Sequence, residues 1–112
     1  MSRKLVVGAA QLGPLQRADR KSVAVERMMA LMTRAKARGC DLVVYPELAL
    51  TTFFPRHFMA DQAEVDTYFE RQLPGPDTQP LFDLAAGLGI GFFLGYAELA
   101  VVDGQERRFN AS

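Results

Sequence analysis

An acidic side chain, Glu47, stands between two apolar segments of the 112-residue chain. The first segment, Asp41 to Tyr45, is typical of a buried strand, and Pro46 follows it. Burying an unpaired carboxylate is costly, so this acid must be paired, exposed or functional. Open α/β sheets build their sites beyond the carboxyl ends of parallel strands, which is where Glu47 falls. Partial burial there would suit a general base, and an ion-pair partner is the alternative role.

The chain has one cysteine and one histidine, Cys40 and His57. Cys40 begins the strand that Glu47 ends, so we expect it at the opposite edge of the sheet, as a packing residue. A single cysteine excludes an intramolecular disulfide and a cysteine-based metal site. His57 has no Cys, Asp or Glu at ligand spacing, which predicts no metal site. Its position in the loop after Glu47 leaves a pocket role open.

The composition is that of an ordinary globular protein. Thirteen basic and thirteen acidic residues give a formal net charge of zero, so charge offers no case for nucleic acid or a membrane surface. The first apolar run, Leu5 to Leu12, is too short for a membrane span and lacks a convincing signal-peptide cleavage site. We therefore expect a cytoplasmic protein.

Three elements precede Glu47 in the predicted order strand, helix, strand. Leu5 to Leu12 reads as a strand because it is short and stops at Gly13-Pro14. Asp19 is a candidate cap for a helix running to about Arg38, with apolar residues at helical spacing. Asp41 to Tyr45 is the second strand. A connecting helix of this length predicts a parallel crossover.

The second half of the chain predicts two helices and a hairpin. Asp61 caps a short amphipathic helix, and Asp77 or Thr78 caps a third helix. Gly89 to Leu99 reads as one glycine-rich strand, and Asp103-Gly104 is a strong hairpin-turn signal. Together the elements predict an α/β fold with one mixed sheet.

The predicted return strand reaches the last residue with no helix to close the sheet. An uncovered face and a free edge invite self-association, so the pattern favours the front part of a longer domain.

Several long stretches resemble one protein family. These are "GAAQLGP" near the start, "YPELALTTFFPR" (Tyr45 to Arg56), "PLFDLAAGLGIGFFLGYAEL" (Pro80 to Leu99) and "RRFNAS" (Arg107 to Ser112). They resemble the nitrilase superfamily of carbon–nitrogen hydrolases, and within it the N-carbamoyl-D-amino-acid amidohydrolases, or D-carbamoylases. The resemblance spans essentially the whole chain.

This resemblance implies the amino-terminal part of an α-β-β-α sandwich, with a mixed sheet and helices on one face. Residues 1–112 would be one incomplete domain that stops after its fourth strand. The family's catalytic triad is Glu-Lys-Cys, and Glu47 falls on its glutamate, the general base. The family lysine and cysteine have no match among the chain's own candidates, Lys4, Lys21, Lys36 and Cys40. The 112-residue chain alone is therefore predicted to be inactive.

The implied reaction is hydrolysis of an N-carbamoyl-D-amino acid to the D-amino acid, carbon dioxide and ammonia, with no metal or organic cofactor. Phe53 and Phe54 lie on the loop that would wall the pocket, although core packing is the favoured role for them. With His57 they complete the candidate substrate-binding residues. The small-molecule substrate is the expected partner, together with further copies of the chain as a dimer or tetramer.

Two alternatives stay open. Another member of the superfamily, such as an amidase, a nitrilase or a β-ureidopropionase, would share the same glutamate. The absence of a matching lysine and cysteine also fits a naturally short, non-catalytic protein or interaction subunit.

Overall fold

A computed structural model describes residues 2–112 and confirms the α/β class. It contains a three-stranded parallel sheet and a separate two-stranded antiparallel hairpin. The elements are β1 (Val7–Ala9), α1 (Lys21–Ala37), β2 (Leu42–Val44), a 3₁₀ turn (Phe54–Arg56), α2 (Gln62–Asp66), α3 (Gln79–Leu88), β3 (Gly91–Phe93), β4 (Tyr96–Val102) and β5 (Gln105–Ala111).

The parallel sheet has the order β1-β2-β3, with α1 and α3 packed against each other over one face. Val43, in the middle of the central strand, is only 1% exposed and belongs to the core formed with both helices. Helix α1 buries residues at helical spacing: Ala24, Val25, Met28, Met32 and Ala35. The opposite face of the sheet carries Val7 and Phe93 and is half exposed. The helices therefore lie on one face, as predicted.

The predicted cap of the first helix is wrong. Helix α1 begins at Lys21 with Arg20 as its N-cap residue, and Asp19 lies outside the helix. The Asp19 carboxylate instead accepts a hydrogen bond from the Gln16 backbone N–H, so it closes the preceding turn. Asp61 does cap α2, since its side chain accepts from the Ala63 N–H.

The single strand predicted over Gly89 to Leu99 is two strands in different sheets. β3 ends at Phe93 and β4 begins at Tyr96, so residues 2–112 contain five strands rather than four. The hairpin β4–β5 is consequently a sheet of its own and not the edge of one mixed sheet. Its turn is as predicted, because Asp103 and Gly104 both have positive φ, at 51° and 77°.

The segment after α2 covers the other edge of β4. Glu70 donates its backbone N–H to the Ala97 carbonyl at 2.8 Å and accepts from the Leu99 N–H at 2.9 Å. Its carboxylate pairs with Lys21 at the start of α1. These contacts join the hairpin to the helical layer. Among residues 2–112, no helix is both long and apolar enough to cross a bilayer.

A bidentate ion pair ties α2 to the outer strand of the hairpin. Arg108 on β5 donates to both carboxylate oxygens of Asp66, each at 2.7 Å. These hydrogen bonds, followed by one from the Gln62 side chain, lower the pKa of Asp66 from 3.8 to about 2. The charged form of Asp66 is therefore favoured by folding.

Because the folded pKa lies below the unfolded one, this pair stabilises the fold above pH 4 and loses its effect as the pH falls towards 2. We expect the urea midpoint to drop over that interval, and to drop less in Asp66→Asn. Glu26→Gln removes an exposed helical carboxylate that forms no ion pair within residues 2–112, so it should follow the wild-type curve. An Asp66→Asn curve that parallels the wild type would contradict this role.

Candidate active site

Two contacts hold the carboxyl end of β2 just before Glu47. The Tyr45 backbone N–H donates to the Phe93 carbonyl at 2.9 Å, which continues the sheet by one step. The Tyr45 hydroxyl donates to the Met28 carbonyl of α1 at 2.6 Å, inside the core. Burial raises the pKa of this phenol, so it stays a neutral donor. The strand end is thus fixed to both the sheet and the helix.

The turn that carries Glu47 packs directly on Gly95, which lies in the break between β3 and β4. A Cβ atom at Gly95 would lie 2.8 Å from the Pro46 carbonyl oxygen and 2.9 Å from the Glu47 Cα. The Gly95 carbonyl also accepts the Ala49 N–H at 2.9 Å. Only glycine permits backbone to approach backbone this closely.

The residue after Glu47 has a strained backbone. Leu48 has a φ of 47°, in the left-handed region, where a leucine costs roughly 1–2 kcal/mol. Its side chain is buried with Phe54 and Ala97 in a small second core, which offsets that cost.

The Glu47 side chain makes one hydrogen bond, with Asn110 on β5. The Asn110 Nδ2 donates to Glu47 Oε1 at 2.5 Å. No basic side chain within residues 2–112 forms an ion pair with Glu47, so the ion-pair role is not the one adopted. Glu47 is exposed at the rim between two cavities, so the described residues do not give it the partial burial that would suit a general base.

The two cavities meet at Glu47. The first cavity, about 520 Å³, lies between the segment after β1 and the segment after β2. The second cavity, about 370 Å³, lies between the Phe53–Phe54 loop and β5. Glu47, Leu48 and Phe53 line both. A carboxylate with one oxygen held and the other facing open space is suited to accepting a proton.

The candidate substrate-binding residues take different positions. Phe53 is 47% exposed and borders both cavities. Phe54 is buried and stacks on Tyr68 with ring centroids 4.9 Å apart, so core packing is its main role, although it also borders the second cavity. His57 borders neither cavity, and its Nε2 accepts a 3.4 Å hydrogen bond from the Arg56 Nε–H. Arg56 itself borders the first cavity.

Cys40 lies away from Glu47 and packs between β1 and α1. Its Sγ would be 3.1 Å from a Cβ placed on Gly8, and the thiol borders a different, smaller cavity. Within the described chain, neither cavity at Glu47 is lined by a cysteine or a lysine. Residues 2–112 also contain no cluster of three side chains able to hold a metal ion.

Sequence reasoning missed Asn110. It pairs with Ala97 across the hairpin, and Ala97 is a buried member of the second core. Residues directly opposite each other in an antiparallel pair share a face. The alternation of buried and exposed residues along β4 could have indicated this contact. It directs Ala97 towards the Glu47 turn, and Asn110 lies on the same face.

A comparison with protein families bears on these features. The sequence model described as carbon-nitrogen hydrolase matches residues 6–112, which contain every element of the structure. The chain belongs to the carbon-nitrogen hydrolase family. Membership of this family supports a C–N hydrolase function in general terms and agrees with the parallel sheet and one-sided helices.

A methyl group at Gly95 tests how this hydrolase domain holds its glutamate. The new methyl group of Gly95→Ala would clash with the backbone of Pro46 and Glu47. We therefore expect this substitution to lower the free energy of unfolding by about 1–3 kcal/mol. Gly87→Ala is the matched control, because its Cβ would meet nothing within 4 Å on helix α3, and it should raise stability by about 0.5–1 kcal/mol. Urea unfolding of both variants measures the difference. Equal stability of Gly95→Ala and wild type would mean that the close approach constrains nothing.

Proposed function

We propose that Glu47 is the general base of a carbon–nitrogen hydrolase that acts on N-carbamoyl-D-amino acids. The observation that carries this proposal is the placement of a carboxylate at the carboxyl end of a parallel strand, with one oxygen held by Asn110 and both cavities open to it. Family membership supports the reaction type, and the resemblance of the loop from Tyr45 to Arg56 supports the substrate class.

In the proposed reaction Glu47 takes the proton of a cysteine thiol, and the thiolate attacks the carbamoyl carbon. The bond from that carbon to the amino-acid nitrogen breaks, and the nitrogen leaves with the proton that Glu47 had taken. Water then cleaves the carbamoyl thioester, which yields carbon dioxide and ammonia. A lysine ammonium stabilises the oxyanion of each tetrahedral intermediate.

The thiol and the ammonium are proposed to come from outside the described residues. This follows from the two cavities at Glu47, which no cysteine or lysine of residues 2–112 borders. Lys21 is already paired with Glu70, and Cys40 packs at the other edge of the sheet. The 112-residue chain by itself is accordingly proposed to supply the base and part of the pocket, and not to turn over substrate.

Two side chains suit an amino-acid substrate. Phe53 offers a half-exposed aromatic face to both cavities, and Arg56 brings a guanidinium to the first. An apolar wall and a cation together fit a substrate with an apolar side chain and a carboxylate. Other superfamily reactions, such as those of amidases or β-ureidopropionases, would use the same base on a substrate of different shape.

A second candidate function is that of a non-catalytic interaction subunit. The same absence of a thiol and a lysine at the cavities favours it, as does the half-exposed face of the parallel sheet with Val7 and Phe93. It predicts no hydrolysis from any product of the gene.

Ammonia release separates these candidates. The full-length gene product should hydrolyse an N-carbamoyl-D-amino acid faster than its L-enantiomer or an N-carbamoyl-β-amino acid, and the 112-residue chain should not. Glu47→Gln keeps the shape and the Asn110 neighbour but cannot take a proton, so kcat should fall at least about 100-fold. Preference for the L or β substrate would refute the D-carbamoylase assignment. Full activity in Glu47→Gln would refute the role of the base.

A further inference from the structure

We propose that Asn110 is a positioning residue that holds Glu47 Oε1 and thereby reserves Oε2 for proton transfer. This proposal rests on the proposed function of Glu47 as the base. The Asn110 amide donates to one carboxylate oxygen only, and no second protein group within residues 2–112 donates to the other. An amide is neutral and does not compete for the proton, so the contact orients the carboxylate without exchanging protons with it.

The register of the β4–β5 hairpin determines which face of β5 carries the Asn110 side chain. Asn110 faces Ala97 across the hairpin, and Ala97 is 4% exposed beneath the Glu47 turn, against Leu48 and Phe54. A shift of β5 by one residue would move every side chain to the opposite face and break the contact. The hairpin turn at Asp103-Gly104 fixes the register, since its two positive φ angles define a two-residue loop.

A second anchor lies two residues away on the same face of β5. Arg108 is fixed by two 2.7 Å hydrogen bonds to Asp66, and it borders the second cavity together with Asn110 and Glu47. The Arg108 guanidinium is paired with Asp66 and forms no ion pair with Glu47. The Asp66–Arg108 pair therefore holds β5 at the distance that the shorter Asn110 side chain needs.

Few charged groups face Glu47 from the packed elements. Arg56 borders the first cavity with it and Arg108 borders the second, and neither forms an ion pair with it. Within residues 2–112, the hydrogen bond from Asn110 is thus the specific side-chain interaction that orients the Glu47 carboxylate.

A labelling experiment tests the contact without any activity. Asn110 is the chain's only asparagine, so ¹⁵N-asparagine gives a single side-chain amide signal. Its two proton shifts should move with pH along one carboxylate titration curve, and this movement should vanish in Glu47→Gln. Glu98→Gln removes a carboxylate on the other face of the hairpin and adds no asparagine, so it should leave the curve in place. Movement that persists in Glu47→Gln, or none in the wild type, would overturn the proposal.

Kinetics of the full-length gene product test the positioning role. Asn110→Ala should lower kcat by about 10- to 100-fold with KM changed less than twofold, because the carboxylate loses its orientation and not its access to substrate. Asn110→Gln, which keeps an amide donor, should recover part of the loss. Arg107→Ala, on the other face of β5, should change neither quantity.

The outcomes separate the two proposals. An unchanged kcat in folded Asn110→Ala, with folding confirmed by a wild-type thermal midpoint, would overturn the positioning role while Glu47 remained the base. A wild-type enzyme without hydrolysis would refute the proposed function and the positioning role with it. The labelling result would then still report whether the Asn110–Glu47 contact exists.

Discussion

The contact between two backbone segments at Gly95 is the constraint on which the rest of the site depends. The turn from Pro46 to Leu48 rests on Gly95 so closely that no side chain fits between them. This contact lies where the parallel sheet ends and the hairpin begins. It therefore fixes the direction of Glu47 and the origin of β4 at the same time. The Tyr45 hydroxyl, buried against α1, supports the same strand end from the other side.

The antiparallel hairpin supports the turn that follows the parallel sheet. β4 buries Ala97 under the Glu47 turn, and β5 brings Asn110 across to the carboxylate. The ion pair between Asp66 and Arg108 attaches β5 to α2. A hairpin of two strands is only marginally stable by itself, so these ties to α2 and to Glu70 give it a defined position. The orientation of the Glu47 carboxylate thus depends on contacts spread over both sheets.

Local patterns predicted most of the fold. The short apolar strands, the apolar stripe of α1 and the Asp103-Gly104 turn follow from neighbouring residues, and the structure confirms them. The position of Glu47 at a strand end also follows from local order. The division of Gly89 to Leu99 was not predictable in this way. The strand breaks at Gly95 because the backbone there packs against Pro46 and Glu47, which are distant in sequence.

The site shows the same limit. The hydrogen-bond partner of Glu47 is 63 residues away in sequence, and the residues next to either side chain do not predict the contact. The exposure of Glu47 and the burial of Phe54, beside a half-exposed Phe53, depend equally on how the hairpin packs. The resemblance to carbon–nitrogen hydrolases supplied the role of the glutamate, which neither composition nor periodicity could assign.

The most direct test of Glu47 as the base is the rate at which iodoacetamide alkylates the proposed catalytic thiol of the full-length gene product, measured from pH 6 to pH 10. If Glu47 removes the thiol proton, Glu47→Gln should react at least about tenfold more slowly near pH 7 and approach the wild type above about pH 9, where a cysteine ionises unaided. Equal alkylation rates at pH 7 would contradict the assignment of Glu47 as the group that activates the thiol.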